Sequence, residues 1–120
     1  MSPVLFDPAE APEVVRALAA IAAADGAILA REESLLEGFA MQHGIASHVW
    51  LTAKLDEHAL ARTVTDGAKR RAVLELCLQM AHADREYAAV EQELIRRIAR
   101  AFNVPDEELA ALTAAARTAR

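Results

Sequence analysis

One spacing recurs in this chain. The stretch AADGAILAREESLL, Ala23 to Leu36, has a second version in HADREYAAVEQELI, His82 to Ile95. An offset of 59 carries Asp25 onto Asp84, Ile28 onto Tyr87 and Glu32 onto Glu91. The same offset pairs Ile21 with Met80, Ala22 with Ala81, Leu36 with Ile95, Phe39 with Ile98 and Ala40 with Ala99. Gly44 and Ile45 fall on Asn103 and Val104. Each copy reads as a helix, a short loop, and a second helix that stops at a residue suited to the left-handed region. A chain that repeats this unit is expected to fold as two helical hairpins, each covering the apolar face of the other.

The rest of the pattern agrees. Alanine, the best helix former, makes up about a quarter of the chain, and no segment alternates with period two for long enough to be a strand. Pro12 and Glu13 open a helix that carries Val14, Val15, Leu18 and Ile21 toward Asp25-Gly26. Glu32–Gln42 follows, with Leu35, Leu36, Phe39 and Ala40 as its inner stripe. Ser47 to about Ala61 is predicted as a third helix containing Trp50. Thr65 is the predicted N-cap of a fourth, which runs to about Ala83 and is apolar nearly all round, the pattern of a helix in the middle of a bundle. Ala88–Phe102 is the fifth, with Val90, Leu94, Ile95, Ile98 and Phe102 inside. The segment Pro105 to Leu109 restarts a sixth, which frays into the Ala-rich tail. The expectation is an all-α, single-domain bundle of about six helices, built from a duplicated helix-loop-helix hairpin over residues 11–120. Residues 1–10, with two of the four prolines, are read as an extended N-terminal arm.

With 120 residues and a net charge of −5, one modest core and an acidic surface are expected. The basic clusters, Lys69-Arg70-Arg71 and Arg96, Arg97 and Arg100, are short, and they read as solvated helix surface or as a small partner patch rather than a nucleic-acid face. The single cysteine, Cys77, lies among apolar neighbours and suits a core position in a reducing compartment. MSPVLFDPAEAPE has neither the basic nor the apolar region of a secretory leader, and no stretch reaches the ~20 apolar residues of a membrane span. A cytoplasmic protein with no direct membrane insertion is expected.

Two readings of the repeated acids are open. Asp25 and Asp84 end one helix, and Glu32 and Glu91 begin the next, where negative charge is favoured by ~0.3–1 kcal/mol. They are then loop-tying devices. Alternatively, Asp25, Glu32, Asp84 and Glu91, with Glu33 beside them, offer carboxylate oxygens to a hard divalent cation such as Ca²⁺, Mg²⁺ or Mn²⁺. The spacing is not that of an EF-hand. His43, His48, His58 and His82 have no zinc-site spacing. No nucleophile elbow or phosphate loop is present, so no enzyme is expected.

The two stretches together resemble the tellurite-resistance TerB family of helical domains. The second carries the pattern on Ala83, Asp84, Tyr87, Glu91, Asn103 and Asp106 to Leu109. The first carries it on Ala24, Asp25, Gly26, Ile28, Glu32 and Gly44. The likeness spans roughly residues 12–112, with Arg85 standing where the pattern has Gly. It implies a compact helical domain, a bacterial stress-response role of the tellurite or toxic-anion type, metal binding through clustered acids, and a protein partner that includes membrane-associated components. A homodimer is compatible with the sequence. A protein-protein interaction module whose acidic loops are purely structural is the other functional class the residues support.

Overall fold

Burial follows the helical register closely enough to define one core. The computed structural model describes residues 6–24, 30–45, 55–81 and 89–118. The elements are α1 (Ala11–Ala22), α2 (Ala30–His43), α3 (Glu57–Thr63), α4 (Gly67–Ala81), α5 (Ala89–Ala101) and α6 (Asp106–Thr118), with no strand among the described residues. The radius of gyration is 13.0 Å, close to the ~13.6 Å expected of one compact domain of this length.

Helix α1 is the hub. It packs against α2, α3, α4 and α5, and α4 also meets α5 and α6. Val14, Val15, Ala17, Leu18, Ile21 and Ala22 bury one wide side of α1, while Val73, Leu74, Cys77, Leu78, Met80 and Ala81 do the same on α4. Helix α4 is less apolar in its surroundings than expected. Arg71, Glu75 and Gln79 form an exposed strip, and Leu76 is half-buried.

Helices α2 and α5 use the same register. Glu32, Leu36, Phe39 and Ala40 point inward on α2, and Glu91, Ile95, Ile98 and Ala99 on α5. Leu35 and Val90 were expected inside but are 42% and 52% exposed. Each is one residue away from the inward row, about 100° around the helix, so the glutamate takes the inner position instead.

The ends of α2 and α5 are also alike. Gly44 (φ 67) and Asn103 (φ 59) both take the left-handed conformation. Ile45 N–H donates to the Ala40 carbonyl and Val104 N–H to the Ala99 carbonyl, both at 2.8 Å, the closure of a Schellman cap.

Two starts differ from expectation. The third helix does not run through residues 55 and 56. Asp56 is extended, and its carboxylate accepts from the His58 and Ala59 amides, so the helix begins at Glu57. The Ala59 bond foremost holds the Asp56 carboxyl below its ordinary range, despite the opposing pull of desolvation. The earlier part of the predicted helix, residues 47–54 with Trp50, lies outside the described residues. The fourth helix is capped by Asp66 rather than Thr65: Asp66 Oδ2 accepts from Lys69 N–H at 3.0 Å, because Asp66 is the residue immediately before the first helical position. Residues 6–10, assigned to an arm from sequence, bury Phe6 and turn at 8–10 into α1.

Candidate functional site

Of the four acids singled out in the sequence, the structure describes Glu32 and Glu91. Asp25 and Asp84 lie outside the described residues, as do Gly26, Ile28, His82, Arg85 and Tyr87. Both glutamates stand in the first turn of their helices and are almost completely buried, at 1% and 3% exposure. Glu33, next to Glu32, is exposed. A carboxylate taken out of water costs several kcal/mol unless it is compensated. Neither Glu32 nor Glu91 is without a partner, and each lies at the positive end of a helix, which favours the anion. Among the described residues no three His, Cys, Asp or Glu side chains form a metal-sized group. The described part of the site is thus two buried carboxylates at matching positions, on two helices that both pack against α1.

Five members of the basic clusters, Lys69, Arg70, Arg71, Arg96 and Arg97, are engaged within the fold. Lys69 Nζ lies 2.8 Å from Glu10 Oε1 and 3.6 Å from Asp7. Arg71 pairs with Glu108 at 2.8 Å, Arg97 grips both carboxylate oxygens of Glu57, and Arg96 pairs with Glu93 one turn away. Arg70 reaches three carbonyls: Nε donates to Val64, Nη2 to Ala61 and Nη1 to Phe102, at 2.7, 2.8 and 3.1 Å. Its guanidinium also lies over the Phe102 ring, 5.1 Å from the centroid. One side chain in the first turn of α4 thereby satisfies the open carbonyl ends of both α3 and α5. Arg96 apart, these side chains tie separate segments of the fold together, and the Lys69-Arg70-Arg71 run is not a free basic patch.

Two further polar sites were not anticipated from sequence. Glu10 is 7% exposed and accepts both from Lys69 and from the Asp7 amide. Burial pushes its carboxyl up, but those two hydrogen bonds outweigh burial and leave it below its ordinary range. The Glu10 bond in turn holds the Lys69 ammonium above its usual value. The signal was present in Asp7-Pro8-Ala9-Glu10, where an acid reaches back to the amide three residues earlier, half of a capping box. The second is His43. It stacks on Phe39, with ring centroids 4.2 Å apart, and meets Phe6 at 5.8 Å. Phe6 N–H donates to His43 Nε2 at 3.2 Å, and the Phe39 carbonyl lies 3.0 Å from Nδ1. No local pattern announces a contact between residues 37 apart. Cys77 is fully buried, and desolvation pushes its thiol up to about 12.

Comparison with known proteins adds one match. The family described as Tellurite resistance protein TerB matches residues 50–114, just over half of the chain. The span holds α3 to α5 and the first part of α6, and with them Asp84 and Glu91, but not the first acidic stretch that the sequence likeness included. No curated protein and no solved structure gives a significant match.

Proposed function

Because this chain belongs to the TerB tellurite-resistance family, we propose that it is a non-enzymatic, cytoplasmic stress-response module of the tellurite or toxic-anion type. In this reading it binds a divalent cation, Ca²⁺, Mg²⁺ or Mn²⁺, through two loops, one bounded by Asp25 and Glu32 and the other by Asp84 and Glu91. It passes that state to a protein partner, which can be membrane-associated. The supporting observation is the burial of Glu32 and Glu91 at the same register of two helices, each seven residues after an aspartate. A hard cation draws together carboxylates that would otherwise repel, and oxygen donors of this type are its usual ligands. We also infer that the two hairpins are a duplication. The matched buried rows of α2 and α5 and the identical caps at Gly44 and Asn103 support this. The internal pairing of the basic residues supports a partner other than nucleic acid. Among the described residues no helix is long and apolar enough to cross a membrane.

A second reading has its own support. Glu32 and Glu91 complete the inward rows of their helices, which suits acids that only cap and tie each loop. The chain is then an interaction module indifferent to cations. An amide NMR titration of chelator-treated protein with Ca²⁺, Mg²⁺, Mn²⁺ and Zn²⁺ separates the two. Saturable shifts or paramagnetic broadening around 25–32 and 84–91, abolished by Asp84→Asn with Glu91→Gln, support cation binding. A flat response to millimolar ion leaves the interaction module.

A further inference from the structure

The contact between Phe6 and His43 has a protonation requirement. The Phe39 carbonyl can only accept, so Nδ1 of His43 carries a hydrogen. The Phe6 amide can only donate, so Nε2 is bare. The ring is therefore neutral in the docked state, as its Nδ1–H tautomer. Adding a proton to Nε2 sets one N–H against another and turns the contact from attraction to repulsion. Phe6 is held at this point by two rings, Phe39 at 5.9 Å and His43 at 5.8 Å between centroids. Both rings line the groove between α2 and α4, together with Gln42, Ala72, Leu76 and Glu75.

The other ties on this segment do not titrate in the same way. Glu10 and Asp7 are held by Lys69 of α4. Glu10 lies below the carboxylate range and Lys69 above the ammonium range, so that pair stays ionised from neutral pH down to mild acid. On α1, which packs against α2, Glu13 and Arg16 pair with each other at 2.6 Å. On α4, Glu75 is the acidic residue that lines the same groove as His43. Histidine is the side chain whose ordinary titration falls between about pH 5 and 8.

We propose that Phe6 is an acid-released latch, in which a proton taken from solvent by His43 Nε2 ejects the Phe6 amide and ring and frees the face of the Phe39 and His43 rings that Phe6 covers, beside the α2–α4 groove. The Phe6 N–H then bonds to water, while Lys69 keeps the Asp7–Glu10 turn attached, so release is confined to the first described residues. The latch holds while the ring is neutral and opens as pH falls through its protonation. It is independent of cation binding at the acidic loops.

The test uses the isotope-labelled full chain between pH 8 and 5. The ring nitrogens of His43, the Phe6 amide shift, and the Phe6 exchange protection relative to an unstructured amide are followed together. The expected result is one shared midpoint, with Phe6 protection falling about tenfold while α5 amides keep theirs, the scale set by loss of one hydrogen bond plus repulsion. His43→Gln, whose amide oxygen can accept at any pH in this range, should remove the pH response of Phe6. Three results overturn the latch: His43 titrating with Phe6 unmoved, His43 staying neutral down to pH 5, or protection lost in α5 at the same midpoint. The wild-type protein alone decides among these, whether or not the variant folds.

Discussion

Replacing Arg70 with methionine should be the most damaging single change on the half-buried surface of the bundle. The side chain makes three hydrogen bonds to carbonyls at the ends of α3 and α5, all at 3.1 Å or less. Hydrogen bonds from a charged donor are worth ~1.5–3 kcal/mol when sheltered. The three bonds are only part-buried, because the Arg70 side chain is itself half-exposed, so about 1 kcal/mol each is the better figure. The guanidinium over Phe102 adds ~0.5 kcal/mol, and the cation beside two helix C-termini ~0.3–1 kcal/mol. Methionine keeps the aliphatic packing of the stem, so the loss should be about 4 kcal/mol, or ~12–16 °C in Tm for a chain of this size. Arg70→Lys retains the charge but can reach one carbonyl, and should lose about 2 kcal/mol. Urea unfolding followed by far-ultraviolet circular dichroism reads both, with the slope compared to confirm that the unfolded state is unchanged. A methionine variant within ~0.5 kcal/mol of wild type, or a lysine variant equal to wild type, would refute the assignment of these ties to stability.

Other outcomes follow from single features. Because the Glu10 carboxyl is held below its ordinary range, it contributes stability that is present above the unfolded-state value of about 4.3 and lost as pH falls through the folded one; Glu10→Gln should flatten the acid side of the stability curve below about pH 5, measured by thermal melts. Gly44→Ala should cost ~1–2 kcal/mol although nothing crowds the added carbon, since φ is +67 there, while Asn103→Gly should be neutral or slightly stabilising. Cys77, at about 12 and fully buried, should react with a thiol reagent at pH 8 roughly three orders of magnitude more slowly than an ordinary cysteine, and at the ordinary rate once urea unfolds the chain.

Helix number and type were legible because burial repeats with the helical period, and the ends at Gly44 and Asn103 were legible because few residues accept a left-handed backbone. What escaped has physical reasons. Leu35 and Val90 looked inward by composition, yet a row that starts at a glutamate, 32-36-39-40 or 91-95-98-99, rotates both out of the core. A reading that takes a charged side chain in a helix as outward-facing by default cannot find that row. The start of α3 depended on Asp56 taking amides that a continuous helix would have left to carbonyls. The ties of Arg70 were invisible because their acceptors are main-chain carbonyls, which carry no residue identity. Those between Phe6 and His43 and between Glu10 and Lys69 join residues 37 and 59 apart, where sequence spacing says nothing about proximity. Of the candidate site, the sequence singled out the two glutamates by their spacing but gave no sign of their near-complete burial.

The pairing of Lys69, Arg71, Arg96 and Arg97 with nearby acids has an effect beyond the contacts themselves. Each pair cancels at short range, so what a distant molecule senses is the excess of acids, five negative charges spread over a small body. The resulting potential reaches about 8–10 Å into a physiological salt solution. It accelerates diffusional encounter with a cationic surface and slows approach to another polyanion. Association with a basic partner should therefore slow as salt is added, mainly through the rate of first collision rather than the lifetime of the complex.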